Sequence, residues 1–358
     1  MPKALALVVK RSRGQAGVVT ARKMGILNDS LRISVTGEEL SVPLMRQPSS
    51  VEAKHLTSEV GFVRIEEREF NQRTSRRLTL VDALRRRLPG KALAALPHSM
   101  DVIGDIVVVE LSSELVGLEQ AIGEAILEIH PNIHTVMAKA GAFSSEYRTR
   151  ELRLIAGEDK STTRHKEHGC LFELDVRSVF FSSRLSHERL RVASQVHPNE
   201  IVLDMFAGVG PYSILIARKQ PTTLVHAVDA NPSAYHYLVS NILANKVHSN
   251  TKALLGDVRE IVKSSMRGIA DRAVMNLPGE AEDFVDIACL GLKKRGGVIH
   301  FYSFEKTERS RDSALEKLSG GIEASGRKIK TILARRVVKE VAPYQVQVAV
   351  DVRVGPQP

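Results

Sequence analysis

Asp204, Asp229, Asp257 and Asn276 each follow a short apolar run, respectively Ile201 to Leu203, Leu224 to Val228, Lys252 to Leu255 and Ala273 to Met275. Runs of this length read as strands, and polar side chains at their carboxyl ends form the rim where open α/β sheets bind ligands. After Asp204 comes Ala207-Gly208-Val209-Gly210-Pro211, two glycines and a proline suited to start a helix. Without Cβ atoms at Gly208 and Gly210, backbone can approach a ligand closely. Asp204 is placed to accept from an amino group. Asp229, about 20 residues beyond the glycines, stands where nucleoside-binding units put the carboxylate that grips ribose hydroxyls.

Phosphate recognition is disfavoured, because no Lys-Ser or Lys-Thr ends the turn and Ser213 replaces the third glycine of a dinucleotide fingerprint. An adenosine without phosphates fits better, which points to S-adenosylmethionine. Each residue has a plainer alternative. Asp229 could cap the helix after Pro232, Asp257 the helix running to Lys263, and Asn276 could form a turn before Leu277-Pro278. Four such groups in order are harder to assign to caps alone.

The elements that must position these groups follow from the pattern. The sequence predicts a helix from Ser213 to Lys219, another over Ala281 to Leu292, a strand over Val298 to Ser303, and a helix over Ser310 to Leu318. Two β-rich segments close the sheet, Lys330 to Val338 and Tyr344 to Val354. Before the glycine turn, Ser186 reads as the cap of a helix carrying Glu188 and Arg189. This third domain spans residues 169–358.

Residues 1–60 read as a small α/β domain: strand Ala4 to Lys10, helix Gly17 to Gly25, and a hairpin of Leu31 to Val35 with Glu39 to Leu44. Gln47 to Ser58 reads as a polar linker. Residues 61–168 form a middle α/β domain with strands at Asp105 to Leu111, Thr135 to Lys139 and Glu151 to Ala156, and a helix at Leu118 to Ile129. The fold class is therefore α/β, two smaller domains preceding a Rossmann-like one.

The chain of 358 residues carries 51 Lys and Arg against 41 Asp and Glu, a net charge of +10, and its isoelectric point is near 9.6. That balance suits a polyanion. Asn71 to Lys91 holds seven basic residues and one acidic, including Arg76, Arg77 and Arg85 to Arg87; a solvated helix face is the simpler account. Aromatics are 4% with no Trp, so a structured RNA gripped by shape and backbone fits better than a stacked single strand. No apolar run approaches membrane-spanning length. With two cysteines, Cys170 and Cys289, a reducing cytoplasm is expected. His165, His168 and Cys170 lack a fourth partner at a metal-site spacing, and no metal is expected.

Asp204-Met205-Phe206-Ala207-Gly208-Val209-Gly210-Pro211, Met275-Asn276-Leu277-Pro278-Gly279, and Phe181-Ser182-Ser183-Arg184-Leu185 with Glu188-Arg189 resemble the archaeal and eukaryotic tRNA guanine-N1 methyltransferases that act at position 37. Val102 to Ile106, Ala156-Gly157-Glu158 and Ala342-Pro343 resemble that family too. Family members more often have Tyr at Phe180, whose hydroxyl would be lost here, and proline at Ser183. The resemblance implies a seven-stranded class I methyltransferase sheet and an N-terminal domain that recognises the tRNA body. It implies a cofactor site of Phe180, Arg184, Asp204, Phe206, Gly208, Gly210, Asp229, Asn231, Asp257, Val258, Asn276 and Pro278. Partners would be the tRNA anticodon stem-loop and body, with the enzyme monomeric and without an obligatory protein partner. A related branch, in wybutosine-type hypermodification, transfers the aminocarboxypropyl group of the same cofactor; Asn276 favours methyl transfer. A non-catalytic RNA-binding protein is disfavoured by the complete set of strand-end groups.

Guanine N1 carries a proton, so methylation there needs a base for N1–H and a cation for charge developing on O6. Glu188 is the expected base and Arg148 the expected partner of O6, both positions where the family places such roles, and Asn276 is expected to orient the base through an amide that donates and accepts. The target base must leave its stack to arrive there.

Overall fold

The computed structural model of the protein describes residues 2–61, 63–72, 78–97, 99–140, 151–306, 313–342 and 344–357. Arg76, Arg77, Arg148 and Pro343, singled out above, lie outside these residues. Two compact units are present, Met1–Ala83 and Leu84–Pro358.

The first unit contains β1 (Lys3–Lys10), α1 (Gly14–Lys23), β2 (Ser34–Thr36), β3 (Glu39–Leu44), α2 (Ser50–Val60) and β4 (Arg64–Glu69). Its four strands form an antiparallel sheet in the order β2-β3-β1-β4. Central β1 is apolar on both faces because both are covered: Leu7 and Val9 pack with Ala21 of α1 and Leu56 of α2, while Ala6 and Val8 pack with Leu31 and Phe70. The expected linker from Gln47 to Ser58 is instead largely α2. Ser49 Oγ accepts from the Glu52 amide at 3.3 Å and Glu52 Oε2 accepts from the Ser49 amide at 2.8 Å, a reciprocal cap that starts a helix even in a polar stretch. Beyond residue 60, β4 still belongs to this sheet, pairing with β1 from Lys3↔Glu69 to Val8↔Arg64.

From α3 (Leu80–Leu84) and α4 (Gly90–Ala94) the chain enters β5 (Met100–Ile103), β6 (Ile106–Val109), α5 (Glu119–Ile129), β7 (Thr135–Ala140) and β8 (Glu151–Gly157). These strands make a four-stranded sheet in sequence order, α5 bridging the parallel pair β6 and β7. A hairpin of β9 (Thr162–Glu167) and β10 (Cys170–Asp175) follows. His168 and Gly169 form its turn with φ of 48° and 80°, the left-handed pair that a two-residue hairpin needs. The hairpin therefore spans the expected boundary at 168/169. Ile103, Ile106 and Met137 of the middle sheet share one core with Phe172 and Leu174 of the hairpin and with Val202 and Ile214 beyond it.

The remaining elements are α6 (Ser186–Ala193), β11 (Ile201–Asp204), α7 (Pro211–Lys219), β12 (Leu224–Asp229), α8 (Pro232–Ala244), β13 (Thr251–Leu255), α9 (Val258–Ser265), β14 (Arg272–Met275), α10 (Val285–Gly291), β15 (Gly297–Lys306), α11 (Ser313–Ala324), β16 (Ile329–Ala342) and β17 (Gln345–Val354). They build a seven-stranded sheet in the order β13-β12-β11-β14-β15-β17-β16. β11 to β15 run parallel, and β17 enters antiparallel between β15 and β16. Adjacent β11 residues face opposite cores, Val202 one and Leu203 the other, as a sheet covered on both sides requires. Strand order reverses between β11 and β14, and the carboxyl ends of those strands flank the switch point where such sheets take ligands.

Candidate active site

The glycine turn between β11 and α7 is held from the neighbouring strand. The Gly208 amide donates to Asp229 Oδ2 at 2.6 Å, and the Asn231 amide to Asp229 Oδ1 at 2.9 Å. Both carboxylate oxygens thus bind backbone and keep further lone pairs for a ligand. Burial pushes the Asp229 carboxyl above its ordinary range despite these two bonds. Gly208 has φ of 56°, and a Cβ there would meet nothing nearer than the Phe180 carbonyl at 3.8 Å, so the space above it is open. Gly210, with φ of 90°, starts α7 with Pro211 behind it. Its open side is filled: a Cβ would lie 2.6 Å from Leu238 Cδ1 and 2.9 Å from Ile214 Cδ1.

Asp204 lies beneath the turn, 1% exposed, and accepts from Ser213 Oγ at 2.6 Å. Its Oδ1 is buried with no hydrogen-bond partner among the described residues. Burial, with a smaller contribution from the Asp229 charge, pushes its carboxyl up to about 7. The Ser213 that breaks the dinucleotide fingerprint therefore has a structural task, anchoring α7 to β11.

Of the alternatives in the sequence, one capping assignment is observed and one falls to a neighbour. Asp257 caps α9, accepting from the Arg259 amide at 2.8 Å and gripping its guanidinium at 2.6 and 3.0 Å. The Arg259 bonds outweigh burial and hold its carboxyl below the usual range. The cap of α8 is Asn231 rather than Asp229: its Oδ1 accepts from the Ser233 amide at 2.9 Å and its Nδ2 donates to the Ser178 carbonyl at 2.9 Å. Val258 is buried. Phe206 packs edge-on against Phe284 at 5.0 Å, and Phe180 is exposed, its backbone carbonyl beside the glycine turn.

Glu188 projects from the first turn of α6 and is 2% exposed. Its Oε1 accepts from Tyr302 Oη at 2.7 Å and Arg191 Nη2 at 2.6 Å, and its Oε2 accepts from Arg191 Nε at 3.0 Å. Arg336 Nη1 stands 3.6 Å from Oε2. Three hydrogen bonds leave the carboxylate one open acceptor position, on the oxygen facing Arg336. Ser186 does not cap α6, whose N-cap is Leu185 without a side-chain bond; Ser186 Oγ instead meets His168 Nε2 at 2.9 Å.

Asn276 follows β14 in a turn closed by the Leu277 amide to the Met275 carbonyl at 3.0 Å. Its Oδ1 accepts from Gln347 Nε2 at 3.4 Å. β14 pairs with β15 at Met275↔Phe301, so Asn276, just past the end of β14, lies level with the Tyr302 of β15 that binds Glu188. Pro278 continues the same turn. Arg184 points to the middle sheet, its Nη2 3.2 Å from Asp101 Oδ2 and its Nε 3.3 Å from Oδ1. Arg189 is buried under Phe181, its guanidinium 4.7 Å from the ring centroid and paired with Glu167 at 2.5 Å. Of the basic stretch, Arg85 to Arg87 form an exposed turn after α3, and Arg87 pairs with Glu128 at 2.9 Å.

The sequence reading did not pick out Arg191, Tyr302, His300 or Asp351. They lie inside a helix and two strands with ordinary patterns, and only the three-dimensional links single them out: Arg191 and Tyr302 bind Glu188 directly, and Asp351 and His300 follow behind Arg191.

Residues 163–330 match the family model of the TRM5/TYW2 methyltransferase domain, and residues 80–160 that of the TYW2 N-terminal domain. The chain is 37% identical to the tRNA (guanine(37)-N(1))-methyltransferase Trm5b of Pyrococcus abyssi over 98% of this chain and 100% of that one, and the crystal structure of that protein superposes with a TM-score of 0.70. The complex structure of aTrm5 and tRNALeu is 28% identical, covers 98% of this chain and 99% of that one, and superposes with a TM-score of 0.67. A tRNA(Phe) (4-demethylwyosine(37)-C(7)) aminocarboxypropyltransferase of Methanocaldococcus jannaschii is 34% identical over 70% of this chain and 96% of that one.

Proposed function

The chain belongs to the TRM5/TYW2 methyltransferase family, and from that premise we propose that it transfers a methyl group from S-adenosylmethionine to N1 of guanine at position 37 of tRNA. The observation that carries this reading is the extent of the match. The Pyrococcus Trm5b aligns end to end, first unit included, whereas the aminocarboxypropyltransferase accounts for 70% of this chain.

The residues present fit the cofactor. An open space over Gly208, unused lone pairs on Asp229 and an orphaned Asp204 oxygen suit a nucleoside bearing an amino group. Asp229 would hold the ribose, and Asp204 would bear on the amino-acid end from beneath the turn. Phe206, Val258 and the Asp257 cap would border the adenine, Phe180, Asn231 and Pro278 the rim, and Gly210 and Arg184 would act through position alone. When bound, S-adenosylmethionine supplies an electrophilic methyl on a sulfonium, so no metal is required.

Glu188 takes the N1 proton at its open Oε2 position, and Asn276 orients the flipped guanine through an amide that donates and accepts. A positioned base of this kind contributes about 10²–10⁴-fold. Arg148, outside the described residues, supplies the cation for O6. The tRNA body would be read by residues 1–60 and the anticodon stem by the middle domain, by a monomeric, cytoplasmic enzyme. Among the described residues no helix is long and apolar enough to cross a membrane.

Incubating unmodified tRNA transcript with labelled cofactor and analysing the nucleosides tests the reaction. 1-Methylguanosine at position 37 is the expected product, and an aminocarboxypropyl adduct or no product refutes it.

A further inference from the structure

Glu188 stands at the head of a buried polar chain that runs back through the sheet. Arg191 grips both Glu188 oxygens and reaches Asp351 on β17, with Nη2 3.2 Å from Oδ1 and a short bond from Nη1 to Oδ2. Asp351 Oδ1 lies 2.7 Å from His300 Nδ1 on β15. His300 Nε2 lies 2.7 Å from Arg272 Nη1, and Arg272 pairs with Glu200 at 2.8 Å. Because a guanidinium only donates, His300 Nε2 must accept, so the ring proton sits on Nδ1 and is donated to Asp351. Glu188, Asp351, His300 and Arg272 are each 3% exposed or less. Burial holds the imidazole below its ordinary pKa, consistent with a neutral ring of fixed tautomer.

A bidentate arginine facing one carboxylate would fix that carboxylate firmly but also make it a poor proton acceptor, since it stabilises the anion. Here the arginine is divided between two carboxylates. We infer that Asp351, oriented by His300, is a positioning residue for methyl transfer: by sharing Arg191 with Glu188 it fixes the carboxylate geometry while leaving Glu188 able to take up the N1 proton.

This rests on the reading of Glu188 as the base. The other groups facing Glu188 are Tyr302 from β15, Arg336 from β16 at 3.6 Å, and Tyr212 of α7 behind Tyr302, their rings 6.1 Å apart. All of them stabilise or leave unchanged the anion, and Asp351 is the one group in this set that opposes Arg191.

The test is the single-turnover rate of Asp351→Asn across pH, with tRNA and S-adenosylmethionine saturating and the affinity of each measured separately. Removing one negative charge an ion pair away, at an effective dielectric of about 20, should move the acid limb of the rate profile down by about one to two pH units. The plateau should fall about three- to tenfold while both affinities stay within twofold. Asp351→Glu should recover most of the rate. A wild-type profile overturns the inference, as does a loss of rate with the acid limb unmoved, the signature of a merely structural role.

Should Asp351→Asn not fold, Arg191→Lys reads the same point, because a single ammonium cannot bridge both carboxylates with the fork geometry. A rate loss of about tenfold or more with intact binding and a displaced acid limb supports the inference; a rate within twofold of wild type, or a loss with the acid limb unmoved, overturns it. Glu188→Gln is run in parallel. If it methylates at near wild-type rate, the reading of Glu188 fails; if it is inactive while Asp351→Asn is normal, only the shared-arginine inference fails.

Discussion

Asp229→Ala and Asp257→Ala should behave differently, although both carboxylates follow strands of one sheet. Asp257 is satisfied within the protein by a cap bond at 2.8 Å and a gripped guanidinium, and its carboxyl is held below the usual range. Asp229 is not. Two backbone bonds at 2.6 and 2.9 Å leave its carboxyl raised, so in the unliganded protein burial disfavours its charge more than those bonds favour it. On the proposed reading, the cofactor's ribose hydroxyls supply the missing donors. Hydrogen bonds to a charged group contribute roughly 1.5–3 kcal/mol, and about 1.4 kcal/mol is a factor of ten, so Asp229→Ala should weaken S-adenosylmethionine about 10- to 100-fold. Its effect on unfolding should be small, because the lost bonds are offset by removal of a disfavoured buried charge. Asp257→Ala should show the reverse, a stability loss of about 1 kcal/mol for the cap and a change in cofactor affinity below about threefold. Titration calorimetry and thermal unfolding on both variants decide it. Equal affinity for wild type and Asp229→Ala would refute the assignment of Asp229 to the ribose.

Cofactor affinity should rise with pH through about 7, the value to which burial pushes Asp204, by up to about tenfold per unit below it if the carboxylate serves the cofactor's amino group; a flat profile from pH 6 to 8 would remove that role. In the unliganded protein the same group works against the fold. Its folded pKa lies above the unfolded value of about 3.9, so its contribution to stability falls as pH climbs from about 4 to about 7. Gly210→Ala should destabilise by about 2–4 kcal/mol, combining a left-handed φ with approaches of 2.6 and 2.9 Å. Gly208→Ala, with nothing nearer than 3.8 Å, should lose about 1–2 kcal/mol and mainly weaken the cofactor; equal melting shifts would contradict this. Neutralising Arg85 to Arg87 should flatten the salt dependence of tRNA binding, the log–log slope falling by roughly 1 for each phosphate that these side chains neutralise. An unchanged slope would leave these arginines as a solvated surface turn.

The catalytic sheet was legible because its signals are local. An apolar run, a polar strand end and a glycine turn recur within a few residues at β11, and weaker versions at β12, β13 and β14 fall in the observed order. The closing pair β16 and β17 was readable for the same reason. Elsewhere local signals misled or were passed over. Gln47 to Ser58 looks polar enough for a linker, yet Ser49 and Glu52 at capping-box spacing mark a helix start. β4 is Arg-Ile-Glu-Glu-Arg-Glu, a strand whose two arginines are paired across the sheet: Arg68 pairs with Glu39 at 2.9 Å, and Arg64 also meets Glu39. Such pairing depends on register between distant segments. His168 fell in a metal-like cluster but serves a turn with φ of 48°.

The carboxylates of the second unit show why the site was only partly readable. Asp101, Asp271 and Asp351 are held below their ordinary range by arginine, lysine or histidine donors that outweigh burial, whereas burial raises Asp204 and Asp229, whose hydroxyl and backbone-amide partners are too weak to outweigh it. A cation beside the first group satisfies it permanently, so those residues knit the sheet, the hairpin and the helices together. The second group is left short of donors in a position where a ligand can supply them. Residue type is the same in both classes, and strand-end placement alone gathers Asp257 with Asp204 and Asp229. What separates them is the identity of the partner, which comes from elements tens of residues away. Glu188 is paired with Arg191 and Tyr302 as a structural carboxylate would be, and on the proposed reading the second carboxylate on Arg191 is what lets the same side chain serve as the base.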